Sequence, residues 1–182
     1  MKNDHETKER LLVCAREEFL EKGYQKASLR SICKKAGVTT GALYFFFQDK
    51  EDLFSAIVQP TLDQIREMAE QHVRQELMML QNLPGADKDN MHDDHNATEQ
   101  ILHVLYKNYD ICQMLLTNSQ GSRYENCLDE IVDLFENGQR ALAQEQAKQL
   151  GVQPPDDYIL HWLIHIEPDA YVHILLHEGN EE

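Results

Sequence analysis

The stretch SLRSICKKAGVTTGALYFFF, residues 28–47, sets two short apolar-periodic segments on either side of a glycine. Leu29, Ile32 and Cys33 recur at helical spacing, which predicts a helix over 29–36 with these three inward. Ser28 stands where an N-cap belongs, and Gly37 can supply the left-handed residue that ends a helix. Thr39 or Thr40 then caps another helix reaching about Phe47. Two short helices around a tight turn make a helix-turn-helix. The aromatic run Tyr44, Phe45, Phe46, Phe47 cannot all point inward from one helix, because successive residues lie about 100° apart. On a wheel started at Thr39, residues Thr39, Ala42, Leu43 and Phe46 gather on one side, ready to pack on Phe19, Leu29 and Ile32. Thr40, Gly41, Tyr44 and Phe45 gather on the other. Leu43, Phe46 and Phe47 are therefore expected in the core, with Tyr44 and Phe45 outside it.

Further helices flank this pair. His5 to Lys22 carries Leu11, Leu12, Ala15, Phe19 and Leu20 on one stripe and stops at Gly23. Asp49 caps a fourth helix, with Asp52 three residues on in a variant of the capping box. That helix keeps its stripe to Gln81, with a kink expected from Pro60. Residues 82–95 are polar and turn-rich and predict a loop. Helices are then expected over Ala97–Lys107, Tyr109–Leu116, Ser122–Gln149 and Asp156–Glu178, the last broken at Pro168. No Val/Ile/Thr alternation persists, so the chain reads as all-α.

Composition narrows the function classes. Among the first 50 residues ten Lys/Arg face seven Asp/Glu, whereas residues 51–182 hold seven Lys/Arg against twenty-five Asp/Glu. The front end is the part suited to a polyanion. No apolar run approaches the roughly 20 residues that span a bilayer. The charged N-terminus lacks a following apolar region, so no membrane association or signal peptide is expected and a cytoplasmic location is. Cys14, Cys33, Cys112 and Cys127 form no C-x-x-C pair and read as buried reduced thiols.

From Thr7 to Leu53 the sequence resembles the DNA-binding region of the tetracycline-repressor (TetR) family. The positions that carry the resemblance are Ala15, Phe19, Gly23-Tyr24, Ser28-Leu29, Ile32, Ala36-Gly37-Val38, Gly41, Leu43-Tyr44, Phe47, Lys50-Glu51 and Leu53. They cover about a quarter of the chain. The resemblance implies a helix-turn-helix DNA-binding domain over residues 1–49 and a helical effector-binding and dimerisation domain over 50–182. A major groove is wide enough for the second helix of the pair, with Thr40 at a base edge or phosphate and Phe45 at a thymine methyl. Gly41 permits close approach, and the expected DNA-facing set is Ser28, Arg30, Thr39, Thr40, Gly41, Tyr44, Phe45 and Lys50. Phe46 departs from the family, where many relatives carry His or Tyr.

Helix-turn-helix proteins usually pair to read two half-sites about 34–36 Å apart. The resemblance implies a homodimer through the last two long helices, striped by Cys127, Leu128, Ile131, Leu134, Phe135, Leu142 and by Ile159, Trp162, Leu163, Ile166, Ala170, Ile174. It also implies a small-molecule effector that lowers affinity for operator DNA. Candidate lining residues are Met68, His72, Leu102, Tyr106, Tyr109 and Met114. His161/His165 and His173/His177 are each four apart, but HWLIH lacks the Glu of a zincin and Pro168 separates the pairs. Solvated or interface histidines are expected there, with no metal and no cofactor. No nucleophile–base constellation is evident, so no catalysis is expected. The reading is a sequence-specific DNA-binding transcriptional regulator, a repressor released from its operator by a small-molecule ligand; the alternative is a metal- or ligand-sensing helical protein whose DNA module no longer works.

Overall fold

The computed structural model describes residues 2–82 and 91–178, with side chains for 4–78, 98–166 and 168–178. All regular structure among these residues is helical, in the order α1 (Lys2–Lys26), α2 (Leu29–Ala36), α3 (Thr40–Phe46), α4 (Lys50–Asn82), α5 (Met91–Lys107), α6 (Tyr109–Thr117), α7 (Cys127–Leu150) and α8 (Asp157–His177). The chain forms two compact units. One comprises Met1–Leu62 with Tyr109–Cys127, the other Asp63–Asn108 with Leu128–Glu182. No helix among the described residues is long and apolar enough to cross a membrane.

The first unit is built on an aromatic cluster. Phe19 meets Phe54 edge-on at 4.9 Å between ring centres, and Tyr24 meets Phe54 at 5.1 Å. Leu11, Ala15, Ile32, Leu43, Leu53 and Val58 close around them with no exposed surface. These are the inward stripes of α1, α2, α3 and α4 that the helical spacing predicts. Gly23 breaks α1 as expected, at φ 72° and ψ 164°, a conformation that side chains with a Cβ rarely adopt. The break delivers the Tyr24 amide to the Asn118 carbonyl at 2.7 Å, while Asn118 Nδ2 donates to the Leu20 carbonyl at 3.0 Å. The end of α6 is thereby tied to the end of α1.

Several elements differ from expectation for identifiable reasons. Ser28 occupies the N-cap position of α2, but its side chain makes no capping bond. Glu18 of α1 accepts from the Ser28 amide at 3.4 Å and from the Ser31 hydroxyl at 2.9 Å. The reciprocal half of a capping box thus comes from another helix. At α4, Asp49 Oδ1 accepts from the Asp52 amide at 2.8 Å, and Asp52 Oδ2 reaches back to the Gln48 amide at 2.9 Å. The box therefore closes one residue earlier than the standard pattern. The helix continues through Pro60. Most of the expected loop at 82–95 falls on 83–90, outside the described residues, and α5 begins at Met91 rather than Ala97. Its first residues, MHDDHN, are too polar to show a period. The helix expected from Ser122 begins at Cys127, because the Ser122 hydroxyl donates to the Ser119 carbonyl and accepts from the Tyr124 amide, which competes with helix formation. Pro168 does not break α8. It is buried, and packing carries the helix past the one backbone donor that proline lacks.

Cys33, Cys112 and Cys127 are buried and Cys14 is half-buried. Burial pushes the Cys112 thiol up to about 12, so little reactive thiolate exists there at neutral pH.

The Glu18 side chain has no exposed surface, yet it stays ionised. Burial opposes the charge, but hydrogen bonds from Lys22 (2.6 Å), Ser31, Lys35 (3.2 Å) and the Ser28 amide outweigh it and hold the carboxyl at about 2, against an ordinary value of 4.5. The stabilisation is complete above about 4.5 and is lost as pH falls toward about 2, because only the unfolded chain binds the proton in that interval. Glu18→Gln should cost roughly 2–4 kcal/mol in urea unfolding at pH 7. The gap between the two proteins should narrow steadily as the measurement is repeated between pH 4.5 and pH 2.5.

Candidate nucleic-acid interface

α3 has only seven residues, and its two sides are sharply different. Leu43 is fully buried and Phe47 is 3% exposed, whereas Tyr44 is 57% and Phe45 77% exposed. Thr39 caps the helix by accepting from the Ala42 amide at 3.2 Å. Being the cap, it lies before the first helical residue, so the wheel does not apply to it and it is exposed rather than inward. Thr40 and Gly41 are exposed beside Tyr44 and Phe45, as the wheel predicts.

Phe46 does not enter the core as expected. It is half-buried, edge-on to Phe45 at 4.9 Å and tilted against Phe47 at 6.4 Å. The helix ends at Phe46, and Phe47 turns inward on extended backbone (φ −135°, ψ 131°). Phe47 therefore takes the core position, leaving Phe46 at its rim beneath Phe45. Lys8 of α1 places its ammonium 5.7 Å from the Phe47 ring centre.

Gly41 is informative for what it does not serve. A Cβ there would meet only Thr39 Oγ1, at 3.7 Å, an ordinary contact. The backbone is not in the left-handed region either. Nothing inside the molecule requires a glycine at this point, whereas an incoming surface could.

On α2, Ser28, Arg30 and Lys34 are exposed. Lys50 is differently placed. It is half-buried, donates to the carbonyls of Tyr24 (2.8 Å) and Gln25 (3.2 Å), and lies 4.5 Å over the Tyr24 ring. Its ammonium secures the turn between α1 and α2. Beside it, Glu51 accepts from the Tyr24 hydroxyl at 2.8 Å and from the Arg123 amide at 3.3 Å. Burial, then the Glu51 carboxylate, drive the Tyr24 phenol upward. Glu18 and Glu51 are positioning residues that sequence reasoning passed over. Glu18 had a signal, since it lies seven residues after Leu11 and three after Ala15 on the inward stripe of α1. Glu51 had none, because its partners lie far away in sequence.

The six residues expected to line an effector pocket are divided between the units. Met68, His72, Leu102 and Tyr106 belong to the second, Tyr109 and Met114 to the first. Met114 is fully buried and the other five are half-buried. His72 faces Glu76 at 3.5 Å, Tyr106 donates to the Glu178 carbonyl at 3.3 Å, and Tyr109 accepts from Gln113 at 3.1 Å.

Residues 11–57 match the model of a family of bacterial regulatory proteins, the tetR family. Over these residues the chain is similar to the DNA-binding region of that family. The repressor BepR of Brucella suis biovar 1 is 47% identical over 53 residues, which are 29% of this chain and 25% of BepR. The chain thus spans about a quarter of the length of the curated relatives it matches here. Among solved structures, a transcriptional regulator from Aquifex aeolicus is 25% identical with a TM-score of 0.60, covering 97% of this chain and 90% of that one. NalD, the secondary repressor of the MexAB-OprM multidrug efflux pump in Pseudomonas aeruginosa, is 25% identical with a TM-score of 0.59, covering 96% and 87%. The likeness to these two structures thus extends into the helices that follow α4.

Gly41→Ala should leave urea stability unchanged or up to about 1 kcal/mol higher, because alanine favours helix and has room. A loss of stability in that measurement would mean that the glycine serves the fold.

Proposed function

We propose that the chain is a sequence-specific DNA-binding transcriptional regulator, a repressor released from its operator by a small molecule. The observation that carries this reading is the outward side of α3, where Thr40, Gly41, Tyr44 and Phe45 are exposed on a helix whose inner side is locked into the core. Two large aromatic side chains held in water by a rigid scaffold mark a binding surface. In a major groove Phe45 would meet a thymine methyl and Thr40 a base edge. Tyr44, Ser28 and Arg30 would hold phosphates, and a remaining Lys50 donor would add to them. Thr39 would bound the interface as the cap of α3. The kinship with BepR and NalD supports repression rather than activation. A cytoplasmic location goes with contact to the chromosome.

Pairing of two copies belongs to this reading. Ile159, Trp162, Leu163 and Ile166 are each at least half exposed along α8, a stripe suited to an isologous contact around a two-fold axis. The effector would be an organic molecule bound within the second unit, among the helices that carry Met68, His72, Leu102 and Tyr106. By linkage, operator DNA would weaken effector binding by the same factor.

Gel-shift titration of the full chain with DNA from upstream of its own gene tests the reading. A specific complex should form at low salt and weaken steeply along log salt. Phe45→Ala should reduce specific affinity by about tenfold and leave unfolding within about 0.5 kcal/mol of the parent. Absence of a specific complex at low salt across that region would reject the proposal. Sedimentation equilibrium tests the pairing separately: Trp162→Glu should convert a dimer to a monomer whose helical circular dichroism is unchanged.

A further inference from the structure

Three potential metal donors converge in the second unit, away from the DNA-facing surface, and none of them belongs to the expected effector set. Glu136 projects from α7, and His161 and His165 project from α8 one turn apart. His161 Nδ1 lies 2.6 Å from Glu136 Oε2, and the two imidazole rings are 4.5 Å apart at 63°. One ligand atom from each residue lies within 4.8 Å of the others. Ligands about 2.0–2.1 Å from a tetrahedral zinc stand roughly 3.3 Å from one another, so small rotations of these side chains reach a metal's coordination sphere. Among the described residues, this is the one group of three or more such donors.

The surroundings favour a site over a chance ion pair. Arg140 donates to Glu136 Oε1 at 2.6 Å and also pairs with Asp157. The guanidinium thus anchors one carboxylate oxygen and leaves the other directed at the histidines, the outer-shell arrangement that orients metal ligands. Glu136 is mostly covered, while His161 is about half exposed, which leaves an open side for water. Sequence spacing alone offered two equivalent pairs, and the rings of His173 and His177 are also close, tilted at 49° with centres 4.4 Å apart. The carboxylate from α7 distinguishes the first pair from the second.

We propose that Glu136, His161 and His165 bind a divalent transition-metal ion of the zinc class, with water completing the shell. Two imidazoles and a carboxylate suit such an ion rather than calcium or magnesium, which prefer oxygen donors alone. Binding displaces any proton that His161 shares with Glu136, and that proton leaves to solvent. The ion clips α7 to α8 beside the Trp162 stripe, and it does so whether or not the first unit engages DNA. Without a zincin glutamate between the histidines, the site is structural or regulatory rather than hydrolytic.

The test is calorimetric titration of the full chain with zinc chloride in a non-chelating buffer. The expected result is one saturable site per chain, weakened by about tenfold or more in each of Glu136→Gln and His165→Ala, but not in His173→Ala. Cobalt(II) alone should give a visible tetrahedral absorption in the parent chain that both variants lose. Circular dichroism identifies a variant that has failed to fold, in which case His161→Asn supplies the comparison. No saturable zinc binding, or binding indifferent to Glu136→Gln, would overturn the site and leave an ion pair only.

Discussion

A carboxylate with no exposed surface holds the helix-turn-helix together. α2 and α3 have eight and seven residues, lengths at which an isolated helix is marginal in water. Their stability must come from elsewhere, and Glu18 is where α1 provides much of it. One side chain receives the Ser28 amide at the N-cap of α2, a hydroxyl from its first turn, and two lysines from different helices. The two lysine side chains remain about a third exposed, so their charge keeps part of its hydration. That avoids much of the desolvation cost that makes a wholly buried ion pair a poor stabiliser. With α2 held in this way, Leu43 and Phe47 bury the inner side of α3 in the core of the first unit.

The legible part of the chain was the part governed by local rules. Gly23 and Gly37 stop helices because only glycine readily takes their positive φ, and both stops were visible in sequence. The sides of α3 followed from angular spacing alone for Thr40, Tyr44, Phe45 and Leu43. Where several residues competed for one volume, spacing failed. Phe46 and Phe47 both sought the core, and the extended residue past the helix end won. Thr39 was misread for a related reason, since a cap obeys no helical wheel.

Long-range chemistry was the least legible. Nothing local reveals that Lys50 spends its donors on the carbonyls of Tyr24 and Gln25, or that Glu51 receives the Tyr24 hydroxyl. Pro168 was expected to end a helix, and a local rule was overridden by burial. The same limit applied to His161 and His165, whose spacing was plain but whose third partner, Glu136, comes from another helix.

The absence of any internal need for glycine at position 41 has an evolutionary consequence. Thr40, Gly41, Tyr44 and Phe45 contribute little to the fold, so exchanging them leaves the scaffold's folding equilibrium nearly untouched. On the proposed reading of this surface, new target preferences can therefore be tried by single substitutions without an intermediate that unfolds. A protein built this way can have its recognition rewritten far faster than its architecture.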